Sequence, residues 1–577
     1  MIFRHTLSRR DAILVLIGAS VMHMWSIFMR QPVIDQSIII GAQYPNIAHP
    51  SSNVDTQSLP HEQHRHHTAE PGVMNIAATT RVIIETRIQT ETTTVVREAS
   101  PLPTNTPTPL TSDVQSVVDT GKELPHTSIV SHAPGWTLFR NLYMSNGTLY
   151  ILSSNRSFPV IRMMASVALF ALNTPENIAA REPTPHTMDY ITPEEALKRW
   201  GGNPDRGEKN RVWTIEGNTL LFNDPRQFLR HYYHFVAELF FGAWSFWHGA
   251  WSPPSTAPST AYALSHPAPP TIHRAIFAHS NADGWRDDPG FNAYFLRAAF
   301  PSLTVEVQED WTDRVALTAD TTRAWHFPIV LLADRSAAHR GPICGSQTQR
   351  TASEAWEYMK QSNKLMGDRV GGWWEPVRQS IWRFAGVDAG VTGKQVVPAA
   401  QVAGDTKQNE LALPMPDKVV ITYISRQGVA RRKLIQEDHD GLVVALKELA
   451  KRKGDSWELV ILHAEKMTKD EQVKAAARTT ILLGVHGNGL THLVFMKPTR
   501  ASAVIELFYP GGFAHDYHWT SRALGMDHYA VWNDKYFTHP NEPNVDYPEG
   551  FQGNYIPVHG PTVAKLIEDH VERKRSA

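Results

Sequence analysis

The stretch "TTILLGVHGNGLTHLVFMKP", residues 479–498, carries the strongest fold signal in the chain. Its apolar run has the length and composition of a buried strand, and His486-Gly487-Asn488-Gly489 follows at once. Glycine lets the backbone approach a ligand closely, and a helix that begins after such a turn presents free N–H groups to an anion. The stretch therefore predicts a strand, a tight turn and a helix. The turn is either a plain connection or an anion-binding loop.

Segments with the composition of strands and helices alternate around this stretch. Strand-like runs occupy 418–425 ("KVVITYIS"), 457–463 ("WELVILH") and 501–508 ("ASAVIELF"). Helix-like spacing occupies 441–453 ("GLVVALKELAKRK") and 468–479 ("TKDEQVKAAART"). Such alternation predicts βαβ units around a parallel sheet, and ligands of these sheets lie beyond the carboxyl ends of the strands.

A basic loop, "SRQGVARRKL" (425–434), follows the first of these strands. Arg426 stands at the end of the strand, with Arg431 and Arg432 a few residues on. Two arginines on one loop can clamp a diphosphate through bidentate hydrogen bonds, whereas the simpler interpretation is a solvated basic loop. Because this loop and the 486–489 turn should face the same crevice, together they predict a nucleotide diphosphate site that requires no metal.

The N-terminal part has a different character. Residues 12–29, "AILVLIGASVMHMWSIFM", contain no Asp, Glu, Lys or Arg over 18 positions, about the minimum for a membrane-spanning helix. Arginines precede it, so we expect a signal anchor with a cytosolic tail over 1–11. A cleaved signal peptide is the alternative, but no small-residue cleavage site follows the run.

The remainder is expected to be lumenal. Residues 30–125 are rich in Pro, Ser, Thr and His, which predicts a disordered stem. A globular region begins near 126, and a low-complexity break at 397–417 divides it. The sequons at Asn146 and Asn155 fit glycosylation in a lumenal domain.

Composition and cysteine content exclude several classes of function. The 577 residues carry a net charge of −1, without the clustered basic excess that nucleic-acid binding needs. Cys344 is the single cysteine, which rules out an intrachain disulfide and a cysteine-based metal cluster. No metal site is predicted.

Several motifs in this order and spacing resemble the glycosyltransferase 61 family, which includes plant β-1,2-xylosyltransferase and animal O-linked GlcNAc transferases of the endoplasmic reticulum. They are "YISR…RR", "MTKDEQVKAAARTTILLGVHGNGLTHLVFMKP" and "VIELF". Upstream, "HYYHFVAELFFGAW" (231–244) is similar to that family's H-F-x-x-E element. The resemblance covers about residues 215–535. It implies an α/β fold of the GT-B kind with two Rossmann-like lobes, an N-terminal acceptor-side lobe over 126–400 and a C-terminal nucleotide-sugar-binding lobe over 401–577.

The resemblance also implies a function. It implies a type II membrane enzyme that transfers GlcNAc or xylose from a UDP-sugar to a glycan or protein acceptor, with inversion and without a required cofactor. A Golgi membrane is the expected location, with the endoplasmic reticulum second. Carried over to this chain, the resemblance assigns the diphosphate to Arg426 with Arg431 or Arg432. It places the adjoining turn at His486, Gly487, Asn488 and Gly489, and Glu506 near the nucleotide ribose or base. His234 and Glu238 would face the acceptor, and either Glu238 or His234 is expected to be the general base. This chain departs from the family pattern at Asn488 and His492, which leaves the donor sugar open.

Other interpretations remain open from the sequence. His234 can be a core histidine, with Glu238 paired to a local arginine such as Arg230. The whole chain can be a catalytically inactive sugar-binding protein, or a stalked surface adhesion protein that displays an interaction domain on its stem.

Overall fold

A computed structural model describes residues 118–119, 123–172, 174–252, 269–345, 350–362, 364–365, 371–388, 390 and 413–576. All of them belong to one compact unit, Pro103–Ala577. The predicted tail, the anchor at 12–29 and nearly all of the predicted stem lie outside the described residues. Among the helices that are described, none is long and apolar enough to cross a membrane.

The first nine strands form a mixed sheet in the order β4-β3-β2-β9-β6-β7-β8, with β1 paired to β2 and β5 to β9. Strands β6 to β9 run parallel to their neighbours in this group, whereas β1, β2 and β3 are antiparallel. The strands β1 to β9 are Ser128–Ala133, Trp136–Ser145, Thr148–Leu152, Met188–Ile191, Val212–Thr214, Asn218–Phe222, Ile272–Phe277, Thr304–Glu306 and Ala324–Ala333. The expected Rossmann-like pattern therefore holds for one half of this sheet and not for the other.

Short turns explain the antiparallel half. Asn146 and Gly147 alone join β2 to β3, and both have positive φ, 50° and 78°. An Asn-Gly pair with positive φ at both positions is the preferred two-residue hairpin turn. Two residues cannot make the crossover that a parallel pair needs, so these strands must be antiparallel.

Nine helices, α1 to α9, accompany this sheet in the described part of the chain. They are Pro175–Ala180, Pro193–Trp200, Arg226–Leu229, Phe241–Trp251, Phe291–Ala299, Gln308–Ala316, Arg335–Ala338, Thr351–Gln361 and Glu375–Ala385. A π-helix, His234–Phe240, leads directly into α4. The stretch 225–248 thus divides into α3, the π-helix and α4, and π-helical turns are frequent at functional sites.

The second sheet has the order β11-β10-β12-β13-β14-β15 and is parallel except at its last pair. Strands β10 to β15 are Val419–Ile424, Trp457–Leu462, Ile481–Val485, Ala503–Leu507, Asp527–Trp532 and Lys535–Phe537, and helices α10 to α13 are Gln436–Lys453, Lys469–Arg478, Asp516–Ala523 and Gly560–Ser576. The predicted strands of this region and its helices at 441–453 and 468–479 are confirmed. The strand order reverses between β10 and β12, and ligands bind at such a switch point.

Local chemistry explains two features of this sheet. Thr468 begins α11 as predicted, because its hydroxyl accepts from the Glu471 N–H at 3.3 Å while the Glu471 carboxylate accepts from the Thr468 N–H at 2.8 Å. The segment after the 486–489 turn is not the expected α-helix. It is a 3-10 helix, Asn488–Phe495. Its last two carbonyl oxygens accept hydrogen bonds from tryptophan side chains: Trp374 Nε1 donates to Val494 at 3.0 Å, and Trp382 Nε1 donates to Phe495 at 2.8 Å.

One large apolar core lies between the two sheets. It joins the aromatic side chains of the π-helix and α4 to those of α9 and of the 3-10 helix. Phe240 is central: its ring centroid lies 5.3 Å from that of Phe222, 4.9 Å from Phe235 and 5.7 Å from Phe295. Tight packing of this kind holds the elements that carry the candidate site.

We expect Phe240→Ala to lower the free energy of unfolding by about 3–5 kcal/mol, because the lost apolar contacts leave a cavity. Leu317→Ala is the control, since Leu317 is 57% exposed and its loss should cost less than about 0.5 kcal/mol. Chemical denaturation of the two variants and the parent measures both. Equal midpoints for Phe240→Ala and the parent would contradict this description of the core.

Candidate active site

Two arginines converge on the glycine turn. Arg426 is the second residue after β10, and Arg432 lies six residues further on in a left-handed backbone conformation, φ 59°. A Cβ placed on Gly487, where φ is 154°, would lie 3.1 Å from Arg432 Nη1 and 3.4 Å from Arg426 Nη1. The switch point of the second sheet therefore presents two guanidinium groups against a bare backbone, as the sequence predicted.

These two positive charges have no acidic partner in ion-pair contact within the described part of the chain. Arg432 Nη1 donates to the His486 carbonyl at 3.1 Å and Arg426 Nη2 to the Arg431 carbonyl at 3.2 Å. Burial lowers the pKa of both groups, and the Arg432 charge lowers that of Arg426 further. Arg426 Nε and Asn488 Oδ1 are buried without a hydrogen-bond partner. An anionic ligand with hydroxyl or N–H groups would satisfy all of these groups.

The structure separates the two candidate partners of Arg426. The Arg431 side chain is exposed, and its carbonyl is the part that contacts Arg426. Arg432 points inward and is held by Gln552 as well as by His486. Arg432 is thus the second member of the pair.

His486 belongs to a buried row of polar groups. Its Nδ1 lies 2.5 Å from Glu506 Oε1, and Glu506 Oε2 lies 2.8 Å from His528 Nε2. Burial raises the pKa of Glu506 well above its usual range and lowers that of His486 well below. A protonated Glu506 donates to His486 Nδ1, and the remaining Nε2–H of His486 then faces the crevice as a neutral donor.

Glu506 is placed differently from the expectation for it. We expected this carboxylate near a nucleotide ribose or base, but it is fully buried behind His486, and histidines occupy both of its oxygens. Sequence alone could not show this, because His528 lies on the next strand, β14. In this structure Glu506 orients His486 and does not line the crevice.

Asp516, the first residue of α12, is a site residue that the sequence interpretation missed. Its Oδ2 lies 3.7 Å from His486 Nε2, and its Oδ1 is buried without a hydrogen-bond partner. Burial and then the charge of Glu238 raise the pKa of Asp516 to about 8, against the opposing effect of Arg432. No motif surrounds this residue. The one available signal is an aspartate close after a strand of the parallel sheet.

The predicted pair His234 and Glu238 is in contact. Glu238 Oε2 accepts from His234 Nδ1 and, at 2.7 Å, from Arg335 Nη1. Burial by itself raises the pKa of Glu238, but the charges of Arg335 and His234 outweigh it and lower the pKa to about 2. The partner is not Arg230, which pairs with Asp288 at the surface. Glu238 is therefore a fixed carboxylate that orients His234, whose side chain is 20% exposed.

Tyrosines bring these two parts of the site together. The Tyr233 hydroxyl, next to His234, donates to the Asp516 carbonyl at 2.9 Å. The Tyr233 and Tyr517 ring centroids are 5.0 Å apart, and those of Tyr517 and His486 are 5.8 Å apart. The His234 element and the glycine turn thus both adjoin Asp516 and Tyr517, and the region around these residues, between the two sheets, is termed the crevice.

Comparison with known proteins identifies the segment that carries this crevice. Residues 232–504 match the family model described as Glycosyltransferase 61. This segment belongs to the glycosyltransferase 61 family. The family 61 segment includes His234, Glu238, both arginines and the glycine turn, while Glu506 and Asp516 lie just beyond its end.

A curated relative supports the family assignment over a shorter stretch. The EGF domain-specific O-linked N-acetylglucosamine transferase of Drosophila melanogaster is 30% identical over 137 residues, which is 24% of this chain and 24% of that protein. The chain thus matches about a quarter of the length of this relative.

His492 and the two sequon asparagines have clear surroundings in the structure. His492 is buried, with Nδ1 at 3.2 Å from the Tyr232 hydroxyl and Nε2 at 2.9 Å from Gln472 Oε1, so this departure from the family pattern serves packing. Asn146 and Asn155 are both exposed. Their exposure is compatible with glycosylation.

A histidine–carboxylate cluster lies behind the site. His518, His539 and Glu542 place candidate metal-ligating atoms within 4.8 Å of one another, the one such group among the residues described. Arg350 donates to His515 Nε2, and the Nδ1 atoms of His515 and His518 are 3.2 Å apart. His515 must then donate from Nδ1, which leaves the His518 proton on Nε2, 2.8 Å from Glu542 Oε1. His518 Nε2 is nevertheless buried without a hydrogen-bond partner among the described residues.

We expect Arg335→Met to destabilise the fold by about 3–5 kcal/mol at pH 7, because Asp224 and Glu238, both 1% exposed, lose their shared cation. Without Arg335 the Glu238 pKa rises above its unfolded value, so the deficit shrinks as pH falls and the carboxyl groups protonate. Denaturation at pH 5 and pH 7 measures this. The control Arg199→Met breaks a surface pair with Glu195 and should change little at either pH. A deficit that grows on acidification would refute the ionised state of Glu238.

Proposed function

We propose that this protein is a glycosyltransferase that binds a UDP-sugar in the crevice at Gly487 and transfers the sugar to a glycan or protein acceptor. The observation that carries the proposal is the pair Arg426 and Arg432, whose charges meet at a bare turn without an acidic partner in contact among the described residues. A diphosphate supplies the missing negative charge and accepts bidentate hydrogen bonds. Membership of the 232–504 segment in family 61 supports the same conclusion.

The proposed reaction is an inverting transfer on a GT-B-like fold. The acceptor hydroxyl attacks the anomeric carbon from the side opposite the diphosphate, and the two arginines with His486 stabilise the charge that develops on the leaving group. His234, held by Glu238, faces the acceptor. The arginine pair supplies this stabilisation from the protein itself, so we propose that donor binding needs no metal.

GlcNAc is the favoured donor sugar, with xylose second. The matched relative is named as an N-acetylglucosamine transferase that is specific for EGF domains. The match covers 24% of each chain, and an EGF domain is the first acceptor to test.

We further propose that the enzyme is a single-pass type II protein of the Golgi membrane, with the endoplasmic reticulum second. The uncharged run at 12–29, preceded by arginines, supports a signal anchor. The exposed asparagines of both sequons, Asn146 and Asn155, fit a lumenal domain.

Binding of UDP to the full-length chain in mild detergent, measured by calorimetry with and without EDTA, tests the donor site. Arg426→Gln and Arg432→Gln should each raise the Kd by about 10- to 100-fold, because each removes a charge-assisted hydrogen bond worth about 1.5–3 kcal/mol. Arg431→Gln is the matched control and should change the Kd less than about threefold, because its side chain is exposed.

The outcomes of this titration are distinct. Binding that survives EDTA and fails in the Arg426 and Arg432 variants supports a metal-independent clamp, and comparing UDP-GlcNAc with UDP-xylose ranks the donors. Loss of binding in EDTA refutes metal independence alone. No binding of UDP by the parent refutes the transferase and favours a sugar-binding or adhesion protein.

Gly487→Ala should weaken UDP binding by at least about tenfold, since its Cβ would occupy the space between the guanidinium groups and its φ of 154° is unfavourable for alanine. Gly207→Ala is the control: it also has positive φ, 70°, but nothing lies within 4 Å of the added Cβ. Calorimetry of both variants separates a local effect at the site from general backbone strain. Equal UDP affinities in the two variants would show that Gly487 is not at the donor site.

A further inference from the structure

Asp516 occupies the junction of the two parts of the site. His486 lies on one side, with Nε2 at 3.7 Å from the Asp516 Oδ2 atom. On the other side, the Asp516 carbonyl accepts from the Tyr233 hydroxyl of the π-helix at 2.9 Å. The carboxyl group therefore stands between the residues that would hold a diphosphate and the element that carries His234.

The surroundings of Asp516 leave it without the partners that normally fix a buried carboxylate. Oδ1 is buried and accepts no hydrogen bond, whereas the side chain as a whole is 14% exposed to solvent. Charged and titratable groups act on it from its own helix and from four other elements. They are Tyr517 from α12, Arg432 from the β10 loop, His486 from the β12 turn, Glu506 from β13, and Glu238 from the π-helix together with Tyr233 at the start of that helix. Glu238 raises the pKa of Asp516 and Arg432 lowers it, so the Asp516 carboxyl group can both gain and lose a proton near neutral pH.

The two residues first expected to provide the base are less well placed. Glu238 is 1% exposed, and its carboxylate already accepts hydrogen bonds from Arg335 and His234. His234 packs against the rings of Phe228, His231 and Tyr233. Within the described chain, Asp516 is the carboxyl group that approaches His486 from the crevice side.

We propose that Asp516 is the general base of the transfer, a role that rests on the proposed function. The proton of the acceptor hydroxyl moves to Asp516 as the acceptor oxygen bonds to the anomeric carbon. The bond between that carbon and the diphosphate oxygen breaks, and its electron pair stays on the diphosphate beside Arg426 and Arg432. Asp516 ends as a neutral carboxylic acid, which releases the proton to solvent.

The position of Asp516 predicts how UDP binding depends on pH. The carboxyl group is neutral below its pKa of about 8 and negative above it, where it repels the diphosphate. The affinity of the full-length chain for UDP should therefore fall as pH rises from 7 to 9.5, by about three- to tenfold for one like charge at this range. Asp516→Asn should remove the fall. Asp569→Asn, an exposed carboxylate on α13 paired with Lys565, should keep it.

Turnover gives the opposite pH dependence, because catalysis needs the ionised form. Release of UDP from UDP-GlcNAc, with water or an EGF domain as acceptor, should show kcat/KM rising through pH 8 in the parent and in Asp569→Asn. Asp516→Asn should bind UDP as tightly as the parent does at pH 7, yet lose about 10²–10⁴-fold in kcat. A residue that served only the fold would not separate binding from turnover in this way.

Three results would overturn the assignment. They are a UDP affinity of Asp516→Asn that still falls above pH 8, a kcat in that variant within about threefold of the parent, or loss of the rising limb in His234→Gln instead. Failure of the parent to bind UDP is a different result, which refutes the proposed transferase and not the placement of the base within it.

Discussion

Two like charges held against one glycine are the constraint on which the second half of the molecule depends. Arg426 and Arg432 repel each other, and neither is neutralised by a carboxylate in contact among the residues described. Carbonyl oxygens of Arg431 and His486 fix the two guanidinium groups without cancelling their charge. This arrangement costs stability in the free protein and favours an anion, which is how a binding site differs from a structural ion pair.

In the first half of the molecule, by contrast, the buried arginine is paired with carboxylates. Arg335 is buried with Asp224 and Glu238, at 3.0 and 2.7 Å, so the positive group is fully compensated. Since a well-paired buried group has few alternative arrangements, it holds the π-helix, and with it His234, in one orientation. One sheet therefore supplies a rigid support, and the other supplies the unsatisfied charges.

The crevice between the sheets combines these two environments. Asp516 lies where the field of Arg432 meets that of Glu238, and its pKa of about 8 reflects burial first and then this competition. Glu506 shows a related effect one strand away, because its burial between His486 and His528 favours a neutral carboxyl group. No sequence motif around Glu506 or Asp516 indicates this behaviour. Their chemistry comes from where the chain places them.

The sequence by itself determined the strands of the second sheet, two of its helices and the positions of the loops that follow its strands. Strand β10, the Thr468 cap and the turn at 486–489 follow from patterns within a few residues of each other, and these contacts form locally. Only the tertiary structure decided that Arg432 and not Arg431 turns inward, that Glu238 pairs with Arg335, 97 residues away, and that Asp516 enters the crevice. Those outcomes depend on which distant groups share a buried space, and burial and charge compensation act between elements that no local pattern relates.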